Sequence, residues 1–457
     1  VAAGLKRRQK GSILLQPKLR PVQASSVSLV FALAVLLWLA LRLLLAVRQI
    51  RHVARHRDRV PAPFEASVTL AAHQRAADYT IAKTRLGVLA MALGAAVLVG
   101  WTLLGGLDLL NTALRDALQP RLGDIGYQLA LLAAFTLVSA LLELPLDLYG
   151  TFVLEQRFGF NRVTSALFVA DLLRSTLLAA LIGLPLAALV LWIMAAAGAA
   201  WWIWAWVAWV AFHLVLLVIY PTLIAPLFNR FEPLQDAALA ARVSALMQRC
   251  GFAAKGLFVM DGSRRSAHAN AYFTGLGAAK RVVFFDTLLA RLAPAEVEAV
   301  LAHELGHFRH RHVLVRMLAI FGFSLAALAL LGWLAGQSGF YLGLGVAPNL
   351  AAPNDALALL LFGLALPPFT FLLAPLGALL SRRHEFEADA YACAQADGRA
   401  LAGALLKLHE DNASTLTPDP LYVRFYYSHP PALERLAALA RLAPAAAPAA
   451  SAASGAA

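Results

Sequence analysis

Runs of apolar residues long enough to cross a lipid bilayer decide what this chain can fold into. A helix needs about 20 such residues to span the hydrocarbon core. Seven stretches qualify, at about 26–47, 87–110, 127–148, 172–197, 201–224, 313–336 and 356–380. Composition agrees. Hydrophobic residues make up 60% of the chain and charged ones 14%, against about 45–50% and about 25% in a typical soluble domain. Only Ala195-Ala196-Ala197-Gly198 separates the fourth run from the fifth, which predicts a tight helical hairpin. Trp201, Trp202, Trp204, Trp206 and Trp209 crowd the start of the fifth, as an interfacial aromatic belt does.

The basic residues set the orientation. Arg48, Arg51, Arg55, Arg57, Arg59, Arg75, Lys83 and Arg85 follow the first span. Arg157 and Arg162 follow the third, and Arg382 and Arg383 the seventh, whereas the segments after the fourth and sixth carry no Lys or Arg. These basic segments share one face, the expected cytoplasmic one, together with residues 225–312 and the C-terminal region. The basic stretch Lys6 to Lys10 points the other way and is outweighed; the run behind it reads as a retained helix rather than a cleaved signal. A net charge of +13 is thereby read as topology and contact with anionic lipid, not as a nucleic-acid surface. Two distant cysteines, Cys250 and Cys393, exclude a cysteine-rich zinc site and argue against a disulfide framework.

The expected organisation is an N-terminal membrane region with five spans over 1–224 and a cytoplasmic-side catalytic segment over 225–312. Spans six and seven occupy 313–380, a second catalytic segment 381–443, and an Ala/Pro/Ser-rich disordered tail 444–457. Within the first catalytic segment, 271–274 and 281–285 around Gly275-Leu276-Gly277 predict a β-hairpin. Pro294-Ala295-Glu296 then predicts a helix start.

That helix carries His303-Glu304-Leu305-Gly306-His307. Histidines four apart project from one side of a helix and can share a tetrahedral zinc. Glu304, beside the first of them, is placed to take a proton from water activated by the metal. Hydrolytic zinc sites use three protein ligands and keep one position open, so a third ligand is needed. Glu385 and Asp389, four apart just beyond the seventh span, suit one carboxylate on the metal and another orienting an imidazole. His384, Glu387, His310 and His312 are weaker rivals, because their spacing places them on other helix faces or beyond the site.

These residues sit within a wider pattern. It includes Pro145-Leu146-Asp147-Leu148-Tyr149, Thr151 to Glu155, Gly159-Phe160-Asn161, Ile224 to Asn229, Asn270-Ala271-Tyr272-Phe273, Ser381-Arg382-Arg383 before Glu385-Phe386-Glu387-Ala388-Asp389, and Ser428-His429-Pro430-Pro431. From the third span onward the chain resembles the type I CAAX prenyl proteases, integral-membrane zinc endopeptidases. The resemblance implies an all-α membrane protein with a small α+β catalytic portion, its seven helices enclosing a water-filled chamber. It implies one zinc per chain on His303, His307 and Glu385, with Glu304 and His429 catalytic and Asp389 holding a ligand imidazole. It also implies that substrate lies as an added strand along Asn270, Ala271, Tyr272 and Phe273, with Arg435 near the metal; His268 is placed in the same cleft. The expected substrate is a peptide or protein, prenylated or not, met at the bilayer.

The Ala-rich, Arg-over-Lys composition points to a GC-rich bacterium, hence to an inner membrane with the site facing the cytoplasm. Two other functions compete. One is a quality-control protease indifferent to prenylation. The other is a transporter or channel with structural zinc, for which Glu143, Asp147 and Asp171 would mark the path.

Overall fold

A computed structural model describes residues 23–252, 256–268, 271–274 and 281–442. Asn270, the turn between the hairpin strands and the tail expected to be disordered lie outside them. Among the described residues, seven helical stretches are long and apolar enough to cross a membrane: Ala24–Arg55, Leu70–Trp101, Gly106–Glu155, Ser165–Ala196, Gly198–Phe228, His312–Leu334 and Asp355–Gln395. On the first, Leu29, Leu33, Leu36 and Leu37 are each more than half exposed, a surface that lipid covers and water would not.

In chain order the helices are α1 (Ala24–Arg55), α2 (Leu70–Trp101), α3 (Gly106–Tyr149), α4 (Ser165–Ala196), α5 (Trp201–Ile219), α6 (Ala225–Phe228), α7 (Ala237–Arg249) and α8 (Asp286–Leu289). They continue with α9 (Pro294–Arg309), α10 (His312–Leu334), α11 (Ser338–Gly343), α12 (Asp355–Thr370), α13 (Ala374–Gln395), α14 (Gly398–Asp411), α15 (Pro420–Tyr426) and α16 (Ala432–Leu442). The tight hairpin between α4 and α5 is present, turning at Gly198 with φ 60°.

The second span departs from its expected position. Its helix ends at Trp101, the chain turns at Gly105 with φ 76°, and residues from Gly106 on already belong to α3. Hydropathy stays high through this turn, so an apolar window runs across it; the Gly105-Gly106 pair is the local sign of the break. The basic residues after the first span are likewise helical rather than looped. Arg48, Arg51 and Arg55 extend α1, while Arg75, Lys83 and Arg85 lie on α2, leaving a short connection between them.

Outside the spans a four-stranded mixed sheet forms from β1 (Phe231–Pro233), β2 (Leu257–Met260), β3 (Ala271–Thr274) and β4 (Arg281–Phe285), in the order β1-β2-β4-β3. The expected hairpin is its β3–β4 pair, antiparallel with Tyr272 opposite Val283. β3 therefore occupies one edge. The two largest apolar clusters among the described residues divide the work. One, with Phe31, Leu107, Leu131, Leu191 and Leu361, holds the spans together. The other, with Val243, Leu246, Phe284, Leu288 and Leu305, packs α7, β4 and α8 against α9.

Candidate metal centre and active site

α9 begins as its sequence requires. Pro294 takes the first turn, and Glu296 Oε2 accepts from the Ala293 amide at 2.7 Å. The helix then runs through His303, Glu304 and His307 and packs against α13, which carries Glu385 and Asp389. Gly306 makes that approach possible. A Cβ there would stand 2.9 Å from the Ala388 Cα and 3.1 Å from the Ala388 carbonyl oxygen, both backbone atoms.

The close approach brings three ligand groups together. One donor atom each from His303, His307 and Glu385 lies within 4.8 Å of the others. His303 Nε2 and His307 Nε2 are 3.3 Å apart. Glu385 Oε2 lies 3.5 Å from the first and Oε1 3.3 Å from the second. Asp389, fully buried, faces His303 Nδ1 at 2.8 Å. It thereby keeps the proton of a neutral ring on Nδ1 and the lone pair on Nε2. Glu385 Oε2 is also buried and makes no hydrogen bond, with the Arg435 guanidinium 3.4 Å away on its outer side. Lone pairs and a carboxylate pointing at one spot repel unless a cation sits among them, so this donor set fits a hydrolytic metal.

Burial opposes a charge on His303, but the carboxylates of Asp389 and Glu385 outweigh it and push the imidazole up to about 9. Proton and metal therefore compete for Nε2. Burial raises Glu304 above the ordinary glutamate range, while the adjoining imidazoles pull it back. Such a carboxylate is poised to accept a proton and give it up again.

Arg435 on α16 meets these groups from the opposite side. Its Nε and Nη2 donate to Asp389 Oδ2 and Oδ1 at 2.9 and 2.5 Å, and its Nη1 lies 3.4 Å from Glu385 Oε2. It holds the buried carboxylates as well as facing the cavity, a pairing across 46 residues that no local pattern announces. His429 Nε2 stands 3.4 Å from Glu385 Oε1, with most of its side chain exposed. His429, Arg435 and His268 line one cavity of about 790 Å³, walled also by Arg42, Tyr79 and Lys83. His268 stacks on Phe160 with ring centroids 4.5 Å apart, and its Nδ1 lies 3.0 Å from Asn412 Oδ1. Ala271 and Tyr272 sit on β3, opposite Phe284 and Val283; Phe273 pairs with Val282 through the backbone.

Of the three carboxylates named for a conduction path, Glu143 is exposed on α3, while Asp147 and Asp171 line a second cavity. Asp171 is held by Arg265 at 2.9 and 3.0 Å, and Lys83 and Glu155 line the same cavity.

Residues 233–443, which hold the three converging candidate ligands, match peptidase family M48. The chain belongs to that family. Residues 49–230 match the CAAX prenyl protease N-terminal, five membrane helices. This M48 chain is 38% identical to the CAAX prenyl protease 1 homolog of Arabidopsis thaliana, over 71% of its own length and 77% of that protein. It is 36% identical to CAAX prenyl protease 1 of Saccharomyces cerevisiae, over 69% and 72% respectively. Its fold matches that of S. mikatae Ste24p with a TM-score of 0.85 at 30% identity, covering 92% of this chain and 100% of that one. As an M48 member it is a metallopeptidase, a multi-pass integral membrane protein whose substrates are peptides or proteins.

Proposed function

We propose that the chain is a zinc endopeptidase that cleaves near the C-terminus of prenylated CAAX-type substrates. The convergence of His303, His307 and Glu385 with Glu304 one residue from a ligand carries this reading; the names of its relatives supply the substrate class. One zinc per chain, held by these three side chains, would supply a Lewis acid and hydroxide at neutral pH, since zinc lowers the pKa of water to about 7. Glu304 takes the proton from the attacking water and hands it to the departing amide nitrogen as the C–N bond breaks. His429 faces the cavity and donates to the oxyanion that forms on the carbonyl. Asp389 fixes the His303 ring, and Arg435 holds Asp389 while presenting charge to the reacting side. The substrate backbone lies along the β3 edge from Ala271 to Phe273, with Asn270 the further contact that the family resemblance implies, and His268 lines the cavity beside His429 and Arg435.

In this reading residues 1–224 and 313–380 build the membrane chamber, and 225–312 and 381–443 supply the catalytic groups. The site opens to the cytoplasm at a bacterial inner membrane, as the arginine distribution favours. The test is to incubate purified protein with a prenylated CAAX peptide and its unprenylated twin, with and without chelator, and to map products by mass. Chelator-sensitive cleavage of the prenylated peptide alone is expected. Equal cleavage of both would favour a quality-control protease, and chelator-insensitive cleavage would exclude the zinc mechanism.

A further inference from the structure

His303 owes its orientation to Asp389, whereas among the described residues no carboxylate meets Nδ1 of the second ligand histidine. His307 Nδ1 instead meets another ring nitrogen, His312 Nδ1, at 2.9 Å. His312 is 3% exposed, and its Nε2 lies 3.0 Å from Glu387 Oε2. Glu387 Oε1 in turn accepts from Arg383 Nε at 3.0 Å. His384 lies flat on the His312 ring, centroids 3.9 Å apart and planes 6° from parallel. The backbone is bent to achieve this. Between α9 and α10, Arg311 adopts φ 57° and ψ 31°, a left-handed conformation that a side chain bearing Cβ enters at a cost of about 1–2 kcal/mol. That turn returns His312 against the helix just left.

We propose that His312 is a positioning residue for the metal ligand His307, the middle of a relay that ends on Glu387. The inference rests on the metal reading of His303, His307 and Glu385.

The tautomers are fixed by elimination. When His307 Nε2 gives its lone pair to the metal, the proton of the neutral ring stands on Nδ1 and must donate. His312 Nδ1 therefore accepts, and its own proton stands on Nε2, where Glu387 receives it. Every donor has an acceptor, and the His307 ring has only one orientation that satisfies them. The two ligand histidines are thus held alike, each ending on a carboxylate that an arginine grips: Asp389 with Arg435, and Glu387 with Arg383.

The same region offers a competing use. Donor atoms of His310, His312 and Glu387 lie within 4.8 Å of one another, close enough for a second ion. The relay and that ion exclude each other. A neutral imidazole has one lone-pair nitrogen, so His312 cannot accept at Nδ1 and ligate at Nε2 without becoming an imidazolate. The exposure of His310 and the guanidinium of Arg383 on Glu387 also weigh against the ion.

The experiment measures zinc affinity of the full-length protein by competition with a chromophoric chelator, alongside kcat and KM on a cleaved peptide. His312→Phe keeps the ring that stacks on His384 and removes both nitrogens. Loss of such an outer partner weakens metal affinity about 10–100-fold, and that loss is expected here, with kcat restored in part at saturating zinc. Glu387 is half-exposed, so its variants report on the relay even if His312→Phe fails to fold. Glu387→Ala should weaken zinc binding, and Glu387→Gln, whose amide oxygen still accepts, should weaken it less. Wild-type zinc affinity in both His312→Phe and Glu387→Ala would overturn the relay. So would two zinc ions in the wild type falling to one in His310→Ala. His307→Ala is the control: if it still binds zinc, the underlying metal reading has failed rather than the relay.

Discussion

Glu304 is the only proposed participant that must change its protonation twice in each turnover, and its neighbours tune it for that. Replacing it by Gln keeps the shape and removes the acceptor. Glu304→Gln should retain metal by elemental analysis and lose cleavage by about 10²–10⁴-fold, the usual worth of general acid–base catalysis; wild-type turnover in this variant would sink the mechanism. His303→Ala should lose the metal as well as the activity, by the same two assays. A third residue sets a pH dependence of stability. Burial and the charge of Arg435 push His409 down to about 4 from an ordinary 6.5. Between these values the unfolded chain binds a proton that the folded chain refuses, so stability falls as pH drops through the window and is untouched above it. Thermal melting at about pH 7.5 and about pH 5 should show a larger acid loss in the wild type than in His409→Gln.

At the scale of elements, the site exists because α9 and α13 touch at Gly306. A methyl group there meets the backbone of Ala388, which cannot step aside as a flexible side chain would. Gly306→Ala should therefore push the helices apart, costing about 1–3 kcal/mol, and draw Glu385 away from the two imidazoles, seen as weaker zinc binding. Trimming the neighbour should not help, because the nearest contacts are Cα and carbonyl oxygen; recovery of affinity in Gly306→Ala with Ala388→Gly would refute this account. The spacing of His303, Glu304 and His307 was readable from the sequence because helical geometry alone puts i and i+4 on one side. Glu385 and Asp389 were readable for the same reason, though their division of labour was not. Periodicity cannot show the grip of Arg435 on Asp389 or the return of His312 to His307. The first joins distant helices, and the second depends on a left-handed residue that looks like any other arginine. The sheet was half legible: β3 and β4 flank the glycine-containing sequence Gly275-Leu276-Gly277, whereas β1 and β2 are too short to carry an alternating pattern.

At the scale of the whole molecule, the first span is tied directly to the C-terminal catalytic segment. Asp419 caps α15 by accepting from the Leu421 and Tyr422 amides, receives Arg48 from α1 at 3.0 and 3.3 Å, and sends its own amide to Gln49 Oε1. Asp419→Ala removes the cap and leaves the Gln49 contact, so it should lower the melting temperature by an amount matching about 1–2 kcal/mol. An unchanged melting point would show the clamp to be passive. The proposed metal site, too, is split between two regimes. His303 and His307 ride on a helix outside the spans, while Glu385 sits near the end of the stretch Asp355–Gln395 that crosses the membrane. A spanning stretch answers a thicker or thinner bilayer by tilting or kinking, and here α12 meets α13 at a short turn over Phe371–Leu373, so such a change reaches Glu385 through α13 and its packing on α9. Hydrophobic mismatch thereby becomes a variable of coordination geometry, and activity in vesicles of graded acyl-chain length should peak at one thickness.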